Sequence, residues 1–294
     1  MSDEYELIDS GLGRKAERLG PYWIERQAPV AVWRRTRPDL WKGFDAVHVR
    51  SQSGGGHWEF KKKFPDFFWI QLRGLKLKVK LTSFGHLGFF AEQASEWDYF
   101  RRVIPVLRSR LGRAPKLMNL FAYTGASTLA AAEGGAEITH VDAAKGVVDW
   151  ARENATENKI SGARFLVDGA LEFVERELRR KNQYDGVILD PPSFGRTPKG
   201  RAFHIEEDLP VLLDALKALT PGGYSFLHFS CHTPGWVGRV LETLSLPLLN
   251  DELRSALSGS ERPSGQDRGD LLIPSADSPA LVSGAYFRAC LGEP

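Results

Sequence analysis

The run Asp190-Pro191-Pro192-Ser193-Phe194 follows the apolar stretch Val187-Ile188-Leu189 and carries much of the chemistry legible in this chain. A proline lacks the backbone donor and fixes one torsion, so Pro191 and Pro192 hold carbonyl oxygens and the Asp190 carboxylate at a rigid mouth. Phe194 offers an aromatic face to a base swung out of its stack. A second segment, Leu117-Met118-Asn119-Leu120-Phe121-Ala122-Tyr123-Thr124-Gly125, is again an apolar strand ending in a short polar loop. Gly125 takes backbone conformations unfavourable for other residues and lets a ligand approach the main chain. Together the two loops point to methyl transfer from S-adenosylmethionine (SAM) to a nucleobase. Read singly, each is also a simple turn after a strand.

Two acids extend the first loop. Asp142 ends Thr139-His140-Val141-Asp142, and Asp168 ends Phe165-Leu166-Val167-Asp168. A carboxylate at the first position can accept from both ribose hydroxyls, and one at the second from an adenine amino group. Each acid alone is equally an N-cap of the following helix. A nicotinamide dehydrogenase shares this plan but adds G-x-G-x-x-G to bring the backbone against a pyrophosphate. The single Gly125 supports no such cradle, and SAM needs none.

Cys231 closes the apolar run Tyr224 to Ser230. Cytosine C5 is a poor nucleophile, and a thiolate adding to C6 makes it enamine-like and able to attack a sulfonium methyl. A lone cysteine is also a small apolar core residue. His232 is adjacent, but neighbours on a strand point to opposite faces, so no Cys–His pair is assumed. Cys290 lies in a late apolar strand and reads as core. The histidines form no metal-ligand set, and His228 reads as a core residue.

These loops need an alternating α/β frame. Strands are expected at 117–121, 137–141, 163–167, 184–189 and 223–230. Helices are expected at 126–134, 144–158, 169–182, 206–219 and 235–245. Alternation at this spacing predicts a Rossmann-like parallel sheet covered by helices, with ligands beyond the carboxyl ends of the strands. Residues 116–294 form this domain, and 86–115 a connecting helical region. There Glu92–Leu111 carries an apolar stripe and Pro105 predicts a kink or break. Ala285–Leu291 reads as a last strand, and Glu261–Asp270 as a loop. The charged, glycine-containing segment Gly195–Phe203 reads as a loop that orders on substrate.

Residues 1–85 read as a β-rich, basic module. The 294-residue chain has a net charge of only +2. Between Gly13 and Leu81, however, 16 Lys/Arg face 6 Asp/Glu, while the remainder carries 23 and 31. Such asymmetry points to a polyanion for the first module. Leu75–Leu81 alternates apolar residues with Lys76, Lys78 and Lys80, which predicts a half-buried strand with a lysine face that guides RNA. Arg34, Arg35, Arg37 and Lys61–Lys63 are interleaved with Trp33, Trp41, Phe64, Phe67, Phe68 and Trp69. Aromatics so placed can stack on bases, although most suit the module's own core. The acidic start MSDEYELIDSG has no apolar segment typical of a secretory signal, no run is long enough to span a bilayer, and the two cysteines form no CxxC. A reducing cytoplasm, with no membrane and no metal, is the expectation.

At this point the chain resembles the class I SAM-dependent RNA base methyltransferases, closest to the 23S rRNA cytosine-C5 methyltransferase I family. The carrying segments are GFFAEQ, LNLFAYTGAS, THVDAAKGVVDWARENA, VILDPPSFGR and HFSCHTPGW, over roughly Leu87 to Trp236. The resemblance implies that Gln93, Phe121, Tyr123, Thr124, Gly125, Asp142 and Asp168 contact SAM. It places Asp190 near both the methyl group and the base, Pro191, Pro192 and Phe194 at the substrate, and Cys231 as nucleophile on cytosine C5. The implied partner is rRNA. Exocyclic amino methylation, in which Asp190 and backbone carbonyls hold the amino group, is the alternative. A small-molecule methyltransferase and a non-catalytic RNA-binding protein are further readings. Many members have Asp-Gln-Arg where this chain has Glu92-Gln93-Ala94, and Ser-Cys-Ser where it has Ser230-Cys231-His232.

Overall fold

A computed structural model describes residues 3–51, 55–196, 202–255 and 265–293. The chain divides into two compact units, Met1–Ala94 with Leu271–Ser283, and Ser95–Asp270 with Gly284–Pro294.

The first unit holds a five-stranded sheet of β1 (Tyr5–Gly11), β2 (Arg14–Leu19), β3 (Tyr22–Gln27), β4 (Ala46–Arg50) and β5 (Gly56–Phe60), in that order. A hairpin of β6 (Phe68–Leu72) and β7 (Leu75–Val79) accompanies it. The buried Asp9 carboxylate organises one end. It accepts hydrogen bonds from the backbone of Ser10, Thr36 and Arg37 and from Trp41 Nε1 at 2.7–3.3 Å. The aromatics of this unit mostly pack on one another, as Tyr22, Phe64 and Phe68 do. The expected lysine face on β7 is not a solvent face throughout. Lys78 is only 7% exposed, with its ammonium 4.0 Å from the centre of the Phe67 ring. A long aliphatic stem can be buried while the cation rests on a ring, which alternation alone does not reveal.

Helix α1 (Ala94–Leu111), which leads into the second unit, runs through Pro105 as one helix, so of the expected kink or break the break does not occur. Trp97, Phe100, Val103, Ile104 and Leu107 are all essentially inaccessible. Packing of that stripe outweighs the roughly 3 kcal/mol a helical proline costs. There follow β8 (Lys116–Leu120), α2 (Ala126–Glu133), β9 (Glu137–Asp142), α3 (Lys145–Glu157), β10 (Ala163–Val167), α4 (Ala170–Arg179) and β11 (Gly186–Leu189). A small ladder of β12 (Phe194–Arg196) and β13 (Ala202–His204) precedes α5 (Ile205–Leu219). Thus the expected loop at 195–203 has paired ends, and 197–201 lie outside the described residues. The chain continues through β14 (Phe226–Cys231), α6 (Gly238–Ser245), α7 (Asp251–Ser255), β15 (Gln266–Ile273) and β16 (Leu281–Cys290).

The strand order is β10-β9-β8-β11-β14-β16-β15. The first five strands are parallel, and β16 is antiparallel to β14, so the sheet is mixed rather than wholly parallel. Every residue of β11 and β14 is buried, as central strands covered on both faces require. At Gly186 an added Cβ would lie 2.6 Å from the Phe226 carbonyl oxygen, so the close strand approach needs glycine there.

Two expectations about the tail change. Glu261–Asp270 was expected to be a loop, but β15 begins at Gln266, and 261–264 lie outside the described residues. Leu271–Ser283 leaves the second unit for the first one. There Ser275 bridges to Leu7, Ser275 Oγ donates to the Ile8 carbonyl, and Asp277 pairs with Arg37. Contacts between residues more than 200 positions apart leave no local signature. Among the described residues, no helix is long and apolar enough to cross a membrane.

Candidate active site

Chain direction fixes the place of the site. After β8 the chain moves outward through β9 and β10 and returns to β11 on the other side of β8. Loops leaving β8 and β11 therefore diverge at the switch point where open α/β sheets bind ligands. The ladder register brings the loops level, because Leu120 pairs with both Val141 and Leu189, and Leu189 with Phe229. Phe121, Asp142, Asp190 and Ser230 follow those partners by one residue.

The loop Phe121–Gly125 is held in an unusual backbone conformation. Phe121, Tyr123 and Gly125 have φ of 59°, 50° and 92°. Positive φ at the two non-glycine residues costs on the order of 1–3 kcal/mol each and persists only where the surroundings over-determine it. Here Ala122 N–H donates to the Val141 carbonyl, Tyr123 N–H to Asp142 Oδ2 and Gly125 N–H to the Ala122 carbonyl at 2.9–3.1 Å. Asn154 Nδ2 donates to the carbonyl of the buried Thr124 at 2.9 Å. Beneath the loop, Asn119 Nδ2 donates to Thr128 Oγ1, which also bonds His140 Nδ1 at 3.0 Å. Burial pushes the His140 pKa down to about 3, with Arg152 adding to the shift, so the imidazole is neutral at physiological pH.

Asp142 fits a dihydroxyl ligand. Burial raises its pKa, and the backbone N–H groups of Ala144, Tyr123 and Ala143 act against that rise, with Tyr123 donating to Oδ2 and Ala144 to Oδ1, each at 2.9 Å. A carboxylate has about four lone-pair positions, so acceptor capacity remains for a hydroxyl donor such as a ribose supplies. Asp168 lies at the next strand end, where Oδ1 accepts from Gly169 N–H and Oδ2 is ion-paired with Arg176. Gln93 belongs to the first unit, where it is 5% exposed in the short turn Ala91–Gln93.

At the second loop, Asp190 Oδ1 accepts from Ser230 Oγ at 2.8 Å and lies 3.4 Å from His232 Nε2. Burial alone would raise the Asp190 pKa. His232, through charge and hydrogen bonding, and the Ser230 bond outweigh it and hold Asp190 below the usual carboxylate range. Asp190 is therefore ionised at neutral pH. Pro191 is buried, while Pro192, Ser193 and Phe194 are exposed, with Phe194 at 56%. Ser193 Oγ and Thr233 Oγ1 are 2.7 Å apart and tie this loop to the end of β14.

Cys231 sits on the opposite face from Ser230 and His232, as strand alternation demands. It is fully buried, and Thr233 N–H donates to its Sγ at 3.5 Å. Burial raises the thiol pKa, Thr233 opposes that, and the Asp190 charge adds to the rise. Cys290 is buried with its thiol pKa pushed up to about 12 by burial first and Glu293 second. His228 is also a core residue, 3.1 Å from Glu96. Among the described residues, no group of three or more His, Cys, Asp or Glu could hold a metal.

Sequence reasoning missed Ser230 and His232 as partners of Asp190, although their i, i+2 spacing places them on one face. It also missed Phe203, whose ring centre lies 5.1 Å from that of Phe121 and joins β13 to the cofactor loop.

A strained glycine-bearing loop beside a backbone-held carboxylate at the switch point of an open α/β sheet suits a SAM-dependent methyltransferase. A family profile described as S-adenosylmethionine-dependent methyltransferase matches residues 68–238, and the chain belongs to that family. It is an enzyme whose cofactor is SAM. The solved SAM-dependent methyltransferase from Agrobacterium tumefaciens is 30% identical, with 98% of this chain and 91% of that one covered and a TM-score of 0.84. A second solved structure, containing S-adenosylhomocysteine, shares the fold at 17% identity, with 97% and 75% covered and a TM-score of 0.69. The chain is also similar to ribosomal RNA large subunit methyltransferase K/L of Pseudoalteromonas atlantica, 36% identical over 154 residues. That match covers 51% of this chain and 20% of the relative. The chain thus spans about a fifth to a quarter of the length of such curated relatives.

Replacing Asp142 removes the anchor of Tyr123 N–H and the carboxylate expected to accept from a ribose. Asp142→Ala is expected to weaken SAM binding about 100-fold, the scale of losing hydrogen bonds to a charged group. Calorimetric titration checks this, and affinity equal to wild type would remove Asp142 from the cofactor site.

Proposed function

We propose that this chain methylates a nucleobase of large-subunit ribosomal RNA, with a base nitrogen, most simply an exocyclic amino group, as acceptor. The names of the matching relatives support rRNA as the substrate class. The basic character of Gly13–Leu81 supports a polyanion. The observation that carries the nitrogen acceptor is the state of Asp190, ionised and oriented by Ser230 and His232 at a proline-rigidified mouth. Such a carboxylate accepts hydrogen bonds from an amino group and returns electron density to its nitrogen.

When bound, SAM supplies an electrophilic methyl group on sulfonium sulfur. The residues contributed by the chain do the rest. Asp142 and the Phe121–Gly125 loop fix the cofactor end, and Pro191, Pro192 and Phe194 seat the base. Asp168 keeps the supporting role that the resemblance assigns, already drawn toward Arg176. As the nitrogen–carbon bond forms and the carbon–sulfur bond breaks, the nitrogen gains positive charge. Asp190 stabilises that charge and accepts the released proton.

Methylation at cytosine C5 is the second reading. Cys231 stands at the appropriate strand end, and its sulfur accepts the Thr233 N–H. Its complete burial and raised thiol pKa favour it less. Cys231→Ser, assayed for methyl transfer to rRNA, separates the two. The nitrogen reading predicts activity within about threefold of wild type, whereas loss of a covalent nucleophile costs roughly 10⁴-fold or more.

A further inference from the structure

The first unit contains a cavity of about 290 Å³ whose walls include Lys15, Arg26, Arg50, Phe84, His86 and Glu92. Its floor follows from strand register. Lys15 on β2 pairs with Arg26 on β3, and the parallel ladder from β3 to β4 sets His48 level with Arg26. Glu17 lies two residues beyond Lys15 and Arg50 two beyond His48, so one sheet face carries this whole charged row.

A charged floor in so small a module is poorly explained by stability, because a buried ion cluster at best roughly offsets its own desolvation. Arg26 is already committed: both carboxylate oxygens of Glu17 accept from it at 2.6–2.7 Å, and the Gly85 carbonyl at 2.8 Å. It shapes the wall and holds the 84–86 turn against the sheet. Lys15 is buried and 3.3 Å from Glu17, so one of its three ammonium donors serves that pair. The Arg50 side chain is exposed at the rim.

The upper wall is aromatic. Phe84 is 68% exposed, a large ring with little packing role of its own. The His86 ring centre lies 6.3 Å from that of Phe84 and 5.4 Å from that of Phe90. Burial and then Arg26 lower the His86 pKa, so at neutral pH it contributes a ring rather than a charge. Glu92, whose Oε1 accepts from Ser283 Oγ at 2.8 Å, adds an acceptor for N–H or O–H donors. The volume is at the small end of ligand pockets and suits one nucleotide rather than two.

We propose that this pocket binds a single unpaired nucleotide of the RNA substrate, its base stacked on Phe84 and its phosphate held by Arg50 and Lys15. The inference rests on the RNA reading above and adds where a nucleotide other than the methylated one is gripped.

The test compares the full chain with its Phe84→Ala and Arg50→Ala variants, both at exposed positions. Affinity for a fluorescein-labelled single-stranded RNA oligonucleotide is measured over a salt series, and SAM affinity by calorimetry. Phe84→Ala should weaken RNA binding about 5- to 100-fold with the salt slope unchanged, the pattern of a lost stack. Arg50→Ala should weaken it and reduce the slope by about one, the pattern of a lost phosphate contact. SAM affinity should stay at wild type in both. Wild-type RNA affinity in both variants would overturn the pocket while leaving the RNA reading intact. No RNA binding or methylation by a wild-type chain that binds SAM would instead overturn that reading, and the pocket with it. Saturable binding of free AMP or CMP that neither variant weakens would also overturn the assignment.

Discussion

Asp190→Asn should lower kcat for methyl transfer to RNA by about 10²–10⁴-fold, the range lost with a positioned acid–base group. Binding of SAM should persist within about tenfold. Asparagine keeps the size of the side chain but replaces one acceptor oxygen with a donor and removes the charge. In the wild type, Asp190 is ionised because His232 and Ser230 outweigh its desolvation. The substituted amide would meet an acceptor amino group with either a repelling N–H or a neutral carbonyl, and the charge developing on nitrogen would lose its counterion. Ser230→Ala and His232→Gln leave the carboxylate in place and remove one support each. They should cost about tenfold, chiefly in kcat, because a misdirected but charged Asp190 still functions. A larger effect in either than in Asp190→Asn would reassign the acid–base role.

Glu17→Gln should destabilise the first unit by about 3–5 kcal/mol, the cost of breaking a buried pair from one side. Glu17 is completely buried, and Arg26, Lys15 and the Tyr5 hydroxyl all meet its carboxylate. Burial raises its pKa, but Arg26 first and Lys15 second more than reverse this and bring it down from 4.5 to about 2. A folded pKa below the unfolded one gives stability that is present above the unfolded value and lost as pH falls through the folded value. The window is therefore pH 4.5 down to about 2. Urea denaturation should show wild-type stability declining with acid there, with that component absent in Glu17→Gln. Because whole domains are stable by only about 5–15 kcal/mol, the variant should be visibly less stable at neutral pH. A loss below about 1 kcal/mol would show that Arg26 and Lys15 find other counterions.

The strand frame of the candidate site was legible because its signals are local. Central parallel strands are apolar on both faces, so Leu117–Phe121 and Val187–Leu189 stand out, and the residues that end them mark the ligand edge. Asp142 and Asp190 stand out as strand-end acids that way. The pairing of Asp190 with Ser230 and His232 depends on Leu189 lying level with Phe229, a register set by tertiary packing. For Cys231 the residue type allowed both a nucleophile and a core thiol, and its burial is set by tertiary packing that no local pattern announces. At Pro105 the helix does not break, because its buried stripe outweighs the local rule. Lys78 misled because alternation reports side-chain direction and not whether a cation ends on a ring. The place of Leu271–Ser283 with the first unit depends on partners near Leu7 and Arg37 that no local pattern announces.

The most direct test is transfer of labelled methyl from SAM to large-subunit rRNA lacking the modification, followed by nucleoside mass spectrometry. The account predicts a single methylated nucleoside, with the label on a base nitrogen, formed by the wild type and all but absent with Asp190→Asn. A label on cytosine C5 that disappears with Cys231→Ser would contradict the nitrogen assignment. SAM binding without transfer to any RNA would contradict the substrate.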